Sequence, residues 1–195
     1  MIKALIFDCF GVIIGRGFEA TYRIAGSDPR ADRPFIDDML GQANLGLISE
    51  DTFNQAIAKH LGITLQAWHE AIHKAEQPDT ELLSEIKRFR MAYKTALLSN
   101  SNHGVAAQRI GEARLNECFD EVIVSAEVGL VKPDPSIYEY TFNKLNVAPS
   151  ECVFIDDREV LLVTARQLGA QTVLYKDLEQ TNTELEQILA HDSKS

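Results

Sequence analysis

The chain has 195 residues, of which 45% are hydrophobic, so it can build one core domain with a modest insertion. Its formal net charge of −10 argues against a protein that binds nucleic acid or anionic membranes, since both partners would repel it at long range. The three cysteines are not closely spaced, and the apolar N-terminal run is too short to span a membrane and contains Asp8. We therefore expect a cytoplasmic protein with free cysteines in its core and no membrane partner.

The first part of the chain predicts a strand followed by consecutive helices. Residues 2–7 (IKALIF) form a short apolar run of the kind that is buried in a parallel sheet. Residues 16–77 contain no convincing strand, and their patterns predict helices over 33–44, from Ser49 to about 60, and from Thr64 to about 76. We interpret 16–77 as a small helical module inserted after the first strand.

Strands and helices alternate in the rest of the chain. The predicted strands are 95–98, 121–124, 152–155 and 171–175, and the predicted helices are 103–113, 135–145 and 159–168. This alternation is typical of an α/β fold with a doubly wound, Rossmann-like parallel sheet, here built from residues 1–15 and 78–195. The last five residues, HDSKS, are predicted to fray.

Polar residues follow four of the predicted strands, at the edge where open α/β sheets bind their ligands. Each of them alone has an ordinary explanation as a helix-capping residue, a loop residue or a solvated lysine. In chain order they supply a carboxylate, a hydroxyl, a lysine and a pair of carboxylates, which chance does not readily produce. They are Asp8, Ser99 with Asn100, Lys132, and Asp156 with Asp157.

Four motifs at these strand ends resemble those of the haloacid dehalogenase-like (HAD) hydrolase superfamily. They are FDCFGVI (7–13), LLSNS (97–101), GLVKPDPSIY (129–138) and VFIDDR (153–158). The resemblance covers essentially the whole chain, with residues 16–77 where the family inserts its helical cap domain. It implies a HAD α/β core with a small helical cap.

The resemblance also implies phosphoryl transfer with Asp8 as the nucleophile, which forms an aspartyl-phosphate that water later hydrolyses. Hard oxygen ligands suit Mg²⁺. The implied ligands are the Asp8 carboxylate, the backbone carbonyl of Phe10, Asp157 and water, with Asp156 helping directly or through water.

The resemblance also implies which groups bind the phosphoryl oxygens. Ser99 and the backbone amide of Asn100 would donate hydrogen bonds to them. Lys132 would neutralise their charge and keep Asp8 ionised.

Phe10 departs from the phosphatase pattern, in which a second aspartate protonates the leaving oxygen and then activates water. Small HAD sugar-phosphate phosphatases that lack this acid resemble the chain, and a good leaving group would reduce the need for it. 2-Haloacid dehalogenases, which carry an aromatic residue at this position, are the first alternative. A HAD-fold binding protein with weak or no activity is the second.

The adjacent Asp156 and Asp157 favour the phosphatase over the dehalogenase. Dehalogenases need no metal, and two carboxylates beside Asp8 would repel each other strongly unless a divalent cation lay between them. The presence of Asp8, Ser99 and Lys132 as well argues against the binding protein, because a site without catalytic function does not need them.

The segment that follows the first motif supplies candidates for substrate binding. Arg16 and Tyr22 are predicted to contact the substrate, with Phe18 and Arg23 as further candidates. His69 and His73 share a helical face, but without a visible third ligand we expect them to be surface residues. A cap of about 60 residues predicts a small phosphorylated metabolite, such as a sugar phosphate.

Overall fold

The computed structural model describes residues 1–192, and the side chains through residue 190. Five strands form one sheet with the order β3-β2-β1-β4-β5, and all neighbouring strands are parallel. The strands are β1 Ala4–Phe7, β2 Lys94–Ser99, β3 Glu121–Val124, β4 Cys152–Asp156 and β5 Gln171–Leu174. This confirms the doubly wound α/β fold, because a parallel sheet needs a crossover between consecutive strands.

Eleven helices are assigned within residues 1–192. They are α1 Gly17–Ile24, α2 Arg33–Asn44, α3 Glu50–Leu61, α4 Leu65–Ala75, α5 Thr80–Phe89, α6 Val105–Ile110, α7 Glu112–Cys118, α8 Ser125–Val128, α9 Pro135–Leu145, α10 Glu159–Gln167 and α11 Leu178–Asp192. The predicted helix over 103–113 is in fact two helices, since Gly111 separates α6 from α7 with φ +94°. The predicted fraying of 191–195 is wrong at 191 and 192, which belong to α11, while 193–195 lie outside the described residues.

The central strand β1 is buried on both faces, as its continuous apolar sequence predicts. Leu5 and Phe7 pack into a cluster that α5, α6, α7 and α11 cover. Ala4 and Ile6 point to the opposite face, where α9 and α10 complete a second cluster. Each large side chain buried in this way contributes ~1.5–3 kcal/mol.

The pairing register places the carboxyl ends of the inner strands at one edge. Phe7 of β1 lies beside Leu97 of β2 and Ile155 of β4. The residues that follow, from Asp8 onward, therefore emerge next to the ends of both neighbouring strands. This edge carries the polar motifs.

Helices α1–α4 form a third hydrophobic cluster of their own, around the fully buried Trp68. The predicted N-caps are confirmed: Ser49 accepts a hydrogen bond from the backbone N–H of Thr52, and Thr64 accepts one from that of Ala67. We propose that residues 16–77 are a separate cap domain, hereafter the cap. No helix within residues 1–192 is long and apolar enough to cross a bilayer, and the cytoplasmic location stays a prediction.

Candidate active site

A buried lysine joins two carboxylates at the carboxyl edge of the sheet. Lys132 Nζ donates to Asp8 Oδ1 at 2.6 Å and to Asp156 Oδ2 at 3.0 Å. Its third hydrogen bond goes to the Leu98 carbonyl at 2.9 Å. All three charged side chains are at most 9% exposed, so water screens their interactions little.

The pKa values in this cluster follow from burial and charge. Burial raises the pKa of Asp8 to about 6; Lys132 opposes the rise, and the negative charge of Asp156 adds to it. Burial alone would lower the pKa of Lys132, but the charges of Asp8 and Asp156 outweigh burial and raise it. Lys132 is therefore a fixed cation that supports an ionised Asp8.

The side chain of Asn100 positions Lys132. Its Nδ2 donates to the Lys132 carbonyl at 2.8 Å, and its Oδ1 accepts from the Lys132 backbone N–H at 2.9 Å. The sequence prediction gave Asn100 a role through its backbone amide and missed this side-chain pairing. No sequence pattern signals it, because it joins residues 32 positions apart.

Ser99 lies at the end of β2, as predicted, but it is fully buried. Its hydroxyl oxygen is 2.9 Å from that of Ser101. Ser101 and Asn100 line the cavity described below, whereas Ser99 does not. The contact of Ser99 with phosphoryl oxygens stays a prediction.

Three carboxylates converge beside Lys132. Asp8, Asp156 and Asp157 each offer an oxygen within 4.8 Å of the others. Asp157 Oδ1 is buried and has no hydrogen-bond partner among the described residues. An unpaired buried carboxylate oxygen is costly, and a hard cation such as Mg²⁺ would satisfy it. These residues therefore fit the metal site that the sequence predicts.

The loop after Asp8 lies tightly against this cluster. Gly11 has φ +102°, and a Cβ atom there would lie 1.8 Å from Asp157 Oδ2, so only glycine fits. Phe10 is half-buried, packs against the core and lines the cavity. Coordination by its backbone carbonyl stays a prediction.

The two cap residues that are predicted to contact the substrate, Arg16 and Tyr22, lie in different surroundings. Arg16 lines the cavity; its Nε donates to Asp157 Oδ2 and its Nη2 to the Asp157 carbonyl at 3.2 Å. The prediction for Tyr22 needs correction, because its side chain is fully buried in the cap and does not line the cavity. Tyr22 lies one helical turn after Phe18, and its hydroxyl donates to Asp32 at 2.9 Å.

A family model described as haloacid dehalogenase-like hydrolase matches residues 2–169. The chain belongs to this HAD-like hydrolase family. The D-ribitol-5-phosphate phosphatase of Bacteroides thetaiotaomicron is 28% identical over 190 residues, which cover 88% of this chain and 91% of that protein. The bifunctional epoxide hydrolase 2 of Sus scrofa is 27% identical over 96% of this chain, but the chain spans only 39% of that protein's length.

A solved structure shows the same HAD architecture. It is a HAD family enzyme from Bacteroides thetaiotaomicron in complex with magnesium and inorganic phosphate, with a TM-score of 0.75 and 25% identity. The match covers 90% of this chain and 95% of that one.

A cavity of about 680 Å³ lies beside this site, between the cap and the strand ends. Asp8, Lys132, Asp156 and Asp157 are not among its lining residues, but their neighbours Phe10 and Arg158 are. Phe10, Asn100 and Ser101 line it from the core side, and Arg16, Phe18 and Arg23 line it from the first part of the cap. His73 is exposed, as predicted, while His69 is half-buried. Neither histidine belongs to the carboxylate cluster found among the described side chains.

Proposed function

We propose that this hydrolase is a Mg²⁺-dependent phosphatase that hydrolyses a small phosphomonoester through an aspartyl-phosphate on Asp8. The observation that carries the proposal is the joint arrangement of Lys132, bonded to Asp8 and Asp156, and the unpartnered oxygen of Asp157 beside them. A nucleophilic carboxylate, a fixed cation and a cation site are what phosphoryl transfer requires. The names of the ribitol phosphate phosphatase and of the magnesium–phosphate complex support the proposal.

The reaction takes two displacements at phosphorus. An Asp8 carboxylate oxygen attacks, the bond to the alcohol oxygen breaks, and the alcohol leaves with the bonding electrons and takes a proton from water. Lys132 keeps Asp8 ionised and neutralises charge on the phosphoryl oxygens. Mg²⁺, held by Asp8, Asp156 and Asp157, would supply further positive charge. Water then attacks the phosphorus of the aspartyl-phosphate and releases inorganic phosphate and the free Asp8.

The structure also bears on the dehalogenase alternative. Halide leaves without protonation, so Phe10 suits that chemistry as well as it suits a phosphatase with a good leaving group. Three converging carboxylates favour a site that binds a divalent cation, since Lys132 and Arg16 supply only two positive charges against three negative ones and Asp157 Oδ1 has no partner. We therefore favour phosphate ester hydrolysis.

The test is hydrolysis of an activated aryl phosphate with Mg²⁺ and with a chelator, using wild type and Asp8→Asn. We expect phosphate release that needs both Mg²⁺ and Asp8, with a loss of at least about 10³-fold in Asp8→Asn, because the amide is not a nucleophile. Asp51→Asn, which changes an exposed aspartate of the cap, is the matched control and should keep full activity.

A chloroacetate assay run in parallel distinguishes the alternatives. Chloride release without metal, in the absence of phosphate release, would replace the phosphatase by a dehalogenase. Wild-type activity that survives in Asp8→Asn would contradict the nucleophile. Inactivity in both assays would favour the binding-protein alternative.

A further inference from the structure

The apolar part of the cavity lies in the cap. Its walls are side chains from α1, α2, α3 and α4, which are also members of the cap's hydrophobic cluster. They are Phe18, Ile36, Leu40, Phe53, Trp68 and Ile72. The cavity therefore reaches into the hydrophobic interior of the cap.

The polar residues that line the cavity on the cap side are largely bonded to one another. Arg109 on α6 pairs with Glu76 at 3.1 Å and with Glu50 at 3.5 Å. Asn54 Oδ1 accepts a hydrogen bond from the Trp68 indole N–H at 2.8 Å. Glu19 and Arg23, which also line the cavity, pair with each other at 3.0 Å. These pairings reduce the number of donors and acceptors that are free to bond the hydroxyl groups of a polyol.

The side chain of another polar residue that lines the cavity, Asn102, also makes hydrogen bonds within the protein. Its Nδ2 donates to the Ile48 carbonyl at 2.7 Å, and its Oδ1 accepts from the His103 backbone N–H at 2.8 Å. A polyol pressed against apolar walls would lose hydrogen bonds to water without replacement, whereas an apolar group would gain from burial.

The phosphate end of the cavity has the opposite character. Arg16, Asn100, Ser101 and Arg158 line it next to the carboxylate cluster. The cavity therefore changes from charged and polar at the strand ends to apolar inside the cap. Its volume of about 680 Å³ is in the range of sites that bury drug-sized ligands, well beyond the need of a phosphate group alone.

We propose that the substrate is a phosphomonoester whose alcohol carries an extended apolar group, which packs against the cap walls while the phosphate lies at Asp8. This inference rests on the proposed function and narrows its substrate class. It differs from the polyol phosphate that a sugar-phosphate phosphatase would take.

Binding of alkyl phosphonates tests the inference without requiring hydrolysis. Methyl-, butyl- and octylphosphonate are titrated into the wild-type protein with Mg²⁺ and followed by calorimetry, with D-ribitol 5-phosphate titrated into Asp8→Asn as the polar comparison. Affinity should rise by up to about fourfold per methylene, the equivalent of ~0.8 kcal/mol for each buried CH₂. Equal affinities for methyl- and octylphosphonate would overturn the inference.

Two variants of α2 test where the alkyl group of the ligand binds. Leu40→Ser adds a polar group to the apolar wall, and Ala43→Leu fills part of the cavity next to it. Both should reduce the ratio of octyl to methyl affinity by about tenfold or more. Leu47→Ser, at an exposed leucine outside the cavity, is the control and should leave the ratio unchanged. A ratio unchanged in both folded α2 variants would contradict binding in the cap.

Hydrolysis of the corresponding alkyl phosphates separates the two proposals. Chain-length-dependent binding without any phosphate release, either from the alkyl phosphates or from the activated aryl phosphate, would support the apolar site and contradict the phosphatase. Asp8-dependent hydrolysis that favours ribitol phosphate over octyl phosphate would support the phosphatase and overturn the apolar substrate.

Discussion

At the scale of single residues, Phe10 determines what leaving group the site can accept. It lines the cavity two positions after Asp8, and its side chain has no proton to give to the departing oxygen. General acid catalysis typically contributes about 10²–10⁴-fold, and most where the leaving group is a poor one. The need for an acid is therefore much greater for alkyl phosphates than for aryl phosphates.

We predict that Phe10→Asp increases kcat for alkyl phosphates by about 10-fold to 10²-fold and changes kcat for an activated aryl phosphate much less. The reason is that an aryloxide leaves without a proton. Phe10→Asn is the matched control, since it removes the ring without adding an acid. A similar gain in both variants would mean that relief of crowding, not proton transfer, limits the wild-type enzyme.

The residues of the site differ in how well the sequence predicts them. The sequence predicts Asp8 and Asp156 because they stand at the ends of apolar strands, and parallel strands end at the same edge. Lys132 lies further along, in the loop after α8. Tyr22 was assigned wrongly because closeness to the first motif along the chain does not tell which face of a helix is buried. The pairing of Asn100 with Lys132 depends on the path of a loop, which no local pattern encodes.

At the scale of elements, the strands were predicted within about two residues because short apolar runs have little freedom in a buried sheet. Helix α1 was not predicted, and its N-terminus has no side-chain cap to signal it. Helix α5 was also missed although Asp79 caps it, accepting from the backbone N–H groups of Glu81 and Leu82. The signal is present in the sequence, because an aspartate before an apolar periodic segment is a typical N-cap.

The connection between the cap and α6 depends on buried charge. Glu76, which follows α4, pairs with Arg109 of α6, and both side chains are less than 10% exposed. Burial raises the pKa of Glu76 above its ordinary value of 4.5, and Arg109 only partly offsets the rise. The folded protein therefore binds a proton at Glu76 more tightly than the unfolded chain does.

This shift predicts a pH-dependent contribution to stability. A carboxyl whose pKa is higher in the folded state stabilises fully below pH 4.5 and loses that contribution as the pH rises through the folded pKa. The free energy of unfolding of wild type minus that of Glu76→Gln should therefore fall as the pH rises from 4.5. Denaturant unfolding across this range measures it, with the exposed Glu139→Gln as control. A difference that stays flat or increases with pH would contradict the raised pKa.

At the scale of the whole molecule, the site joins residues that lie far apart in the chain. Asp8 and Asp157 follow the ends of β1 and β4, Lys132 lies in the loop after α8, and the cavity beside them is lined by side chains of the cap. The order of the motifs along the chain predicts that these residues lie close together, since the fold brings their strands to one edge. The character of the cavity could not be predicted in the same way, because it depends on how four helices pack against one another and against the core.

The carboxylate cluster also predicts how Mg²⁺ affects the stability of the whole fold. Asp8, Asp156 and Asp157 converge only in the folded chain, so Mg²⁺ should bind the folded state and stabilise it by ~2.7 kcal/mol at a concentration of about 100 times its Kd. For a protein of this size the expected rise in Tm is about 5–10 °C relative to a chelator. Thermal unfolding with Mg²⁺ and with EDTA measures this shift.

Asp157→Asn should separate metal binding from general effects of salt. In EDTA this variant should differ little from wild type, because the lost repulsion from Asp8 and Asp156 offsets the lost ion pair with Arg16. With Mg²⁺ it should be less stable than wild type, because the metal has lost a ligand, whereas Asp51→Asn should keep the full Mg²⁺ response. A loss of stability that appears only with Mg²⁺ would show that the carboxylate of Asp157 binds the cation. The same Tm shift in Asp157→Asn and wild type would place Mg²⁺ elsewhere on this acidic protein.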